Sequence, residues 1–110
     1  MKFSVYDVGG KVVKQDERYI VKDNTELKNL IVSSTTLHRG MSTSGHNHAG
    51  QEEVYNFIFG TGEMELDGDR FKVYPGDVVL IKDGVFHRVH NTGACDMYFV
   101  CVFDGKRNHQ

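Results

Sequence analysis

Residues 40–60 read Gly-Met-Ser-Thr-Ser-Gly-His-Asn-His-Ala-Gly-Gln-Glu-Glu-Val-Tyr-Asn-Phe-Ile-Phe-Gly, and the reading of this stretch decides the fold. His46, His48 and Glu53, three groups able to ligate a metal, fall within eight residues. Two histidines two apart, followed by a glutamate that opens an apolar run, reach one face only if the backbone is extended. Period two then groups Glu53, Tyr55, Phe57 and Phe59 on one face and Val54, Asn56 and Ile58 on the other. Both faces are apolar, so this strand is expected to be covered on both sides. A fourth ligand candidate, His87, lies far downstream, and a sheet that curls round would bring it to the other three.

Working outward, residues 61–66 and 70–74 form two strands joined through Asp67-Gly68-Asp69, where Asp-Gly supplies the positive φ of a tight hairpin. Pro75, the only proline, opens a turn with Gly76-Asp77 before the apolar run Val78-Val79-Leu80-Ile81. A turn at Lys82-Asp83-Gly84 precedes a strand over residues 85–90, in which His87 and Val89 share a face and His90 and Arg88 have outward parity. After Asn91-Thr92-Gly93 comes a last apolar strand over residues 97–103, with Met97, Phe99, Cys101 and Phe103 on one face. Upstream, the β-branched run over residues 30–37 is long enough to cross a small sheet.

Residues 1–29 carry weaker signals. Short strands are expected at 3–8 and 19–21, around a Gly9-Gly10 turn and the charged segment 14–18. Asp23 with Glu26 fits either a capping box opening one helical turn over 25–28 or an ordinary loop. Short strands, turn signals every eight to twelve residues and twelve glycines predict an all-β sandwich or barrel and exclude a parallel α/β sheet.

At 110 residues, 39% hydrophobic and 25% charged, the chain accommodates a single domain: N-terminal strands over 1–29, a barrel over 30–103 and a polar tail over 104–110. Thirteen basic and fifteen acidic residues give a net charge of -2 with no long run of one sign. Neither a nucleic-acid nor a membrane surface is indicated, and a small molecule is the expected partner. No stretch approaches the roughly 18–20 apolar residues of a membrane span, and the first residues lack the apolar centre of a signal peptide, so a cytoplasmic protein is expected. Cys95 and Cys101 share parity on one expected strand roughly 20 Å apart, which predicts buried free thiols rather than a disulfide.

Three neutral imidazoles and one carboxylate around a divalent ion would give a site of about +1, with mixed nitrogen and oxygen donors suited to manganese, iron, cobalt, nickel or zinc. Four ligands leave positions open for water, substrate or dioxygen, as catalysis requires. Neither cysteine lies beside the histidines, which disfavours structural zinc. His38, His90 and His109 are read as non-ligands, and Glu52 as solvated.

The spacings carry more than the residues alone. Gly40, five residues, His46, one residue, His48, four residues, Glu53, six residues, Gly60 resembles the first motif of the cupin superfamily. Gly76, five residues, Lys82, one residue, Gly84, two residues, His87, three residues, Asn91 resembles the second, fifteen residues on. One position departs: Lys82 stands where that family usually has proline, loosening the turn into the His87 strand. The resemblance implies a double-stranded β-helix, or jelly-roll, barrel in which His46, His48, Glu53 and His87 bind the metal and Tyr55, Phe57, Phe59, Phe99 and Phe103 are candidates to line the pocket.

By the same resemblance the function is that of a metal-dependent small-molecule enzyme, with a slight lean to dioxygenase chemistry from the aromatic face and the lack of a basic cluster for a phosphate. Sugar or sugar-phosphate isomerisation is the alternative within the enzyme class. A non-catalytic small-ligand-binding module or sensor is the alternative outside it. The exposed N-terminal strands, lacking an edge partner, suggest a homodimer.

Overall fold

The computed structural model describes residues 1–47 and 49–105; His48, His109 and most of the polar tail lie outside the described residues. Among the described residues, nine strands follow in order: β1 (Lys11–Gln15), β2 (Tyr19–Asn24), β3 (Leu30–Leu37), β4 (Glu53–Phe59), β5 (Gly62–Leu66), β6 (Asp69–Val73), β7 (Val78–Ile81), β8 (His87–His90) and β9 (Met97–Asp104). All pairings are antiparallel. They build a six-stranded sheet, β1-β2-β3-β9-β4-β7, and a three-stranded sheet, β6-β5-β8. No described helix is long and apolar enough to cross a membrane.

From β3 onward the chain alternates between the sheets. After β3, a turn at Gly40 (φ 78°) carries residues 41–46 across to β8, where bridges Ser42↔His90 and His46↔His87 form, and the chain then returns to the large sheet as β4. The β5–β6 hairpin lies in the small sheet, β7 in the large, β8 in the small and β9 in the large. This alternation is the double-stranded β-helix expected from the sequence. The sheets face each other rather than joining into one continuously hydrogen-bonded cylinder.

Register on the large sheet explains its inner face. Ile31, Phe103, Glu53 and Ile81 align in one row; Asp23, Ser33, Cys101, Tyr55 and Val79 in the next; Val21, Thr35, Phe99 and Phe57 in a third; and Tyr19, Leu37 and Met97 in a fourth. Every second residue along a strand points inward, so these rows are the floor on which the small sheet packs. Leu37, Phe57, Met64, Val73, Val89, Met97 and Phe99 are each at most 1% exposed and form the centre of the core. Burying each such side chain contributes roughly 1.5–3 kcal/mol.

Several local expectations change. Residues 3–8 form no strand; a Ser4↔Asp7 bridge closes a turn there, and Tyr6 stacks on Tyr98 at 6.4 Å, so the segment covers part of the outer face of the large sheet. The first strand instead takes residues 11–15, overlapping the expected charged segment 14–18 only at Lys14 and Gln15, and Gly10 before it packs against the Asp23 backbone, where a Cβ would come within 2.3 Å. No helical turn forms over 25–28: Asn24 ends β2, accepts the Glu26 N–H at 2.9 Å, and donates to the Val8 carbonyl at 2.6 Å. That Asx turn replaces the capping box. Cys95 precedes β9 and is exposed, so only Cys101 is a buried thiol; both are free. The Asp67-Gly68 hairpin turn has φ of 46° and 90°, and Gly60, Gly76 and Gly84 also have positive φ, as their turns require.

Candidate metal centre

Three elements converge at one end of the inner face. Glu53 opens β4 and His87 opens β8, so their side chains meet across the gap between the sheets, and the 41–46 segment lays His46 beside His87. His87 Nε2 lies 2.7 Å from Glu53 Oε2, with both side chains almost fully buried. The His46 and His87 rings meet edge to face at 4.5 Å. One ligand atom from each of His46, Glu53 and His87 lies within 4.8 Å of the other two, with His46 alone exposed. The structure thus gathers three of the four expected ligands; the fourth, His48, lies outside the described residues.

Local chemistry holds this arrangement. The Val85 carbonyl can only accept, and it lies 3.0 Å from His87 Nδ1, which therefore carries the ring hydrogen in the neutral form. His87 Nε2 is left with its lone pair directed at the Glu53 carboxylate. Two electron-rich atoms at 2.7 Å call for a positive species between or upon them, either the proton of an imidazolium–carboxylate pair or a metal ion. This donor set fits a transition metal: two imidazoles and a carboxylate, one face open through His46.

The loops bearing the ligands are tied together. Asp83 accepts the Gly50 N–H at 2.7 Å, and Asn47 donates to the Gly84 carbonyl at 3.4 Å, fastening the loop after His46 to the turn before His87. That turn closes from the Val85 N–H to the Lys82 carbonyl at 3.1 Å, so it forms with lysine in the family's proline position. Asp67, at the β5–β6 turn, accepts the Phe86 N–H at 2.9 Å. Gly45 lies so close to the Phe86 ring that a Cβ would stand 2.0 Å from it, so a larger residue there would have to displace that ring.

A cavity of about 200 Å³ opens beside the triad, with His46 and Glu53 in its wall. Of the expected pocket residues, Tyr55, Phe99 and Phe103 line it. Phe57 does not; it is buried behind them against Phe99, with ring centroids 5.4 Å apart. Phe59 is 55% exposed and faces away. A bulge after Phe57 is the cause: Phe57 pairs with Phe99 but Phe59 with the adjacent Tyr98, so Ile58 is extra and the alternation inverts. Sequence reading also missed the polar wall of the cavity, which includes Lys14, Asp23, Ser33 and Thr35. The period-two pattern of residues 30–37, continued into the preceding strand, was the available signal.

The remaining histidines stand apart from the triad among the described residues. His90 takes the face opposite His87, as parity requires, yet is only 9% exposed. Ser42 Oγ lies 2.7 Å from its Nδ1 and Glu65 Oε1 2.9 Å from its Nε2, and these two residues cover it. His38 pairs with Asp96 at 3.4 Å. Glu52 is exposed, as expected. Burial pushes the Cys101 thiol well above its ordinary value, and the nearby Glu53 charge acts in the same direction.

Fold and site together define a small cupin-type barrel. The family model for the cupin domain matches residues 33–103, and the chain belongs to that family. It is similar to an uncharacterized protein, MJ1618, of Methanocaldococcus jannaschii, with 26% identity covering 91% of this chain and 92% of that one. It is also similar to the oxalate-binding protein of Thermotoga maritima, with 29% identity over 86% of this chain and 78% of that one. Among solved structures, a protein with a double-stranded β-helix domain from Klebsiella pneumoniae superposes with a TM-score of 0.83 at 24% identity, covering 97% and 92% of the two chains.

Proposed function

We propose that the chain is a metal-dependent cupin that acts on a small oxygen-bearing acid, holding the metal through His46, Glu53 and His87, with His48 as the fourth ligand proposed from the motif. The observation that carries this reading is the 2.7 Å approach of His87 Nε2 to Glu53 Oε2 at the wall of a cavity that also contains His46. Manganese, iron, cobalt, nickel and zinc are the candidate ions. A bound metal of this kind supplies Lewis acidity and open positions for substrate oxygens. The protein supplies the rest: Val85 fixes the His87 tautomer, the Asp83–Gly50 bond orders the ligand loops, and Tyr55 and Phe99 exclude water from one side of the ligand.

The cavity is smaller than the roughly 300–1,000 Å³ of drug-sized sites, which supports a substrate of few heavy atoms. Dioxygenation remains the first chemistry to test, on the aromatic half of the cavity. Isomerisation comes next, supported by the hydroxyl-bearing half. A non-catalytic binding role is favoured by one observation, the similarity to a relative named for oxalate binding. Elemental analysis of the protein as isolated tests the central claim. About one transition metal per chain, lost on His87→Ala, supports it; a folded wild type that takes up none of the five ions refutes it. Oxygen uptake and isomer turnover on metal-loaded protein then separate catalysis from binding.

Homodimerisation is a secondary proposal. β1 is an open edge with every residue exposed, but Lys11, Lys14 and the bulge at Val13 are features that oppose edge-to-edge pairing. The mass in solution by light scattering reads the outcome.

A further inference from the structure

One wall of the cavity is built by strands outside the ligand-bearing ones. Asp23 on β2 faces inward in the same row as Ser33, Cys101 and Tyr55, and Thr35 lies one row further on. Ser33 and Thr35 are 5% and 7% exposed, and both line the cavity with Asp23. Oδ1 of Asp23 is buried, and no donor among the described residues reaches it. Asp23 is one of the residues lining the cavity, and a carboxylate oxygen buried without a donor costs free energy unless an entering group reaches it and supplies one.

We propose that Asp23, Ser33 and Thr35 form a hydroxyl-recognising subsite at the end of the cavity away from His46, Glu53 and His87, selecting small acids that carry hydroxyl groups beyond the metal-binding end. The proposal rests on the metal-centre reading for the orientation of the ligand. β2 lies three strand spacings from β4, roughly 14 Å along the sheet before its curvature is counted. A ligand that touches both ends is therefore a short chain rather than a two-carbon acid.

Charge sets which end goes where. An acid group at the Asp23 end would face a carboxylate, whereas at the triad it meets imidazoles and the metal they would hold. An ammonium group could satisfy Asp23, but Lys14 lines the same cavity and opposes a second cation there. Hydroxyl groups meet both conditions: they donate to Asp23 Oδ1 and exchange hydrogen bonds with Ser33 and Thr35. Residues 1–32 lie outside the match to the family model, and Asp23 is among them.

The test uses titration calorimetry on protein loaded with the metal it retains, with gluconate, 2-hydroxyhexanoate and 6-aminohexanoate as probes. The first two share six carbons and an α-hydroxy acid for the metal end and differ only in the remaining hydroxyls. Wild type is expected to bind gluconate about tenfold or more tightly than 2-hydroxyhexanoate, the range for hydrogen bonds to a charged group. Asp23→Ala should remove most of that preference while leaving 2-hydroxyhexanoate within about twofold, and Asp23→Asn, isosteric with the native residue, guards against loss of fold. Equal affinity for the two acids, no binding of either, an unchanged preference in both variants, or a preference for 6-aminohexanoate would each overturn the subsite. Metal content measured on the same samples keeps the two readings apart: metal-free wild type defeats the metal centre, and the hydroxyl preference of that protein still decides the role of Asp23.

Discussion

Replacing Glu53 by glutamine isolates the electrostatic part of the candidate centre. The amide keeps the shape of the carboxyl, and its NH2 group can donate to the His87 Nε2 lone pair, so the metal-free fold keeps a bond at the 2.7 Å contact. What it loses is the anionic ligand. A metal present at about 100 times its dissociation constant stabilises the folded state by about 2.7 kcal/mol. With an unfolding entropy of about 2.1 cal/mol/K per residue over 110 residues, that corresponds to a melting-temperature rise of roughly 12 °C. If losing the carboxylate weakens the metal about 100-fold, as disturbing even outer-shell partners can, the same concentration leaves about 0.4 kcal/mol, or roughly 2 °C. Scanning calorimetry on EDTA-treated protein with each of the five ions, before and after addition, reads both numbers. The reasoning fails if wild type gains no stability from any ion, or if Glu53→Gln gains as much as wild type while its metal-free melting temperature is unchanged.

Three further outcomes follow from the geometry. Phe57→Ala should cost about 3–5 kcal/mol in urea unfolding because the ring is fully buried, while Phe59→Ala, of the same sequence parity, should stay within about 0.5 kcal/mol because the bulge turns it outward. Asp83→Ala removes the bond to the Gly50 N–H and should weaken metal affinity about tenfold in competition with a chelating dye, with little change in metal-free stability. Cys101 is protonated in the fold well beyond its ordinary pKa of 9.0, whereas the unfolded chain ionises there. Its contribution is therefore complete below that pH, and stability falls as pH rises above it, by at most about 1.4 kcal/mol per unit. Cys101→Ala should flatten that slope, and iodoacetamide on native protein should label Cys95 alone.

The grouping of His46, Glu53 and His87 was legible because their positions are set by local rules. Strand parity placed Glu53 with Tyr55, and the turn glycines fixed where β4 and β8 begin. Phe59 was misplaced because a bulge adds one residue without a composition signal, and everything beyond it changes face. The polar wall escaped notice for a different reason. Asp23 and Ser33 acquire meaning only when β2 and β3 are paired in register and β9 is inserted next to them, and no local pattern specifies that β9, from the far end of the chain, is the neighbour of β3. His90 shows the same limit: its parity was right, but its burial depends on Ser42 and Glu65, which come from two other elements.

The position of β9 has a consequence for how the molecule is made. The last of the described strands lies in the middle of the large sheet, between β3 and β4, with Leu30 paired to Asp104. Until residues 97–104 have left the ribosome, β1–β3 and β4–β7 can exist only as separate edges with unpaired backbone groups, exposed to wrong partners. Sheets closed by contacts this distant in sequence fold on the slower millisecond-to-second scale. Glu53 reaches its final position only when β4 docks on that late strand, so the candidate centre of His46, Glu53 and His87 is among the last features to form, and a chain cut short before Met97 would carry these residues without ever assembling them.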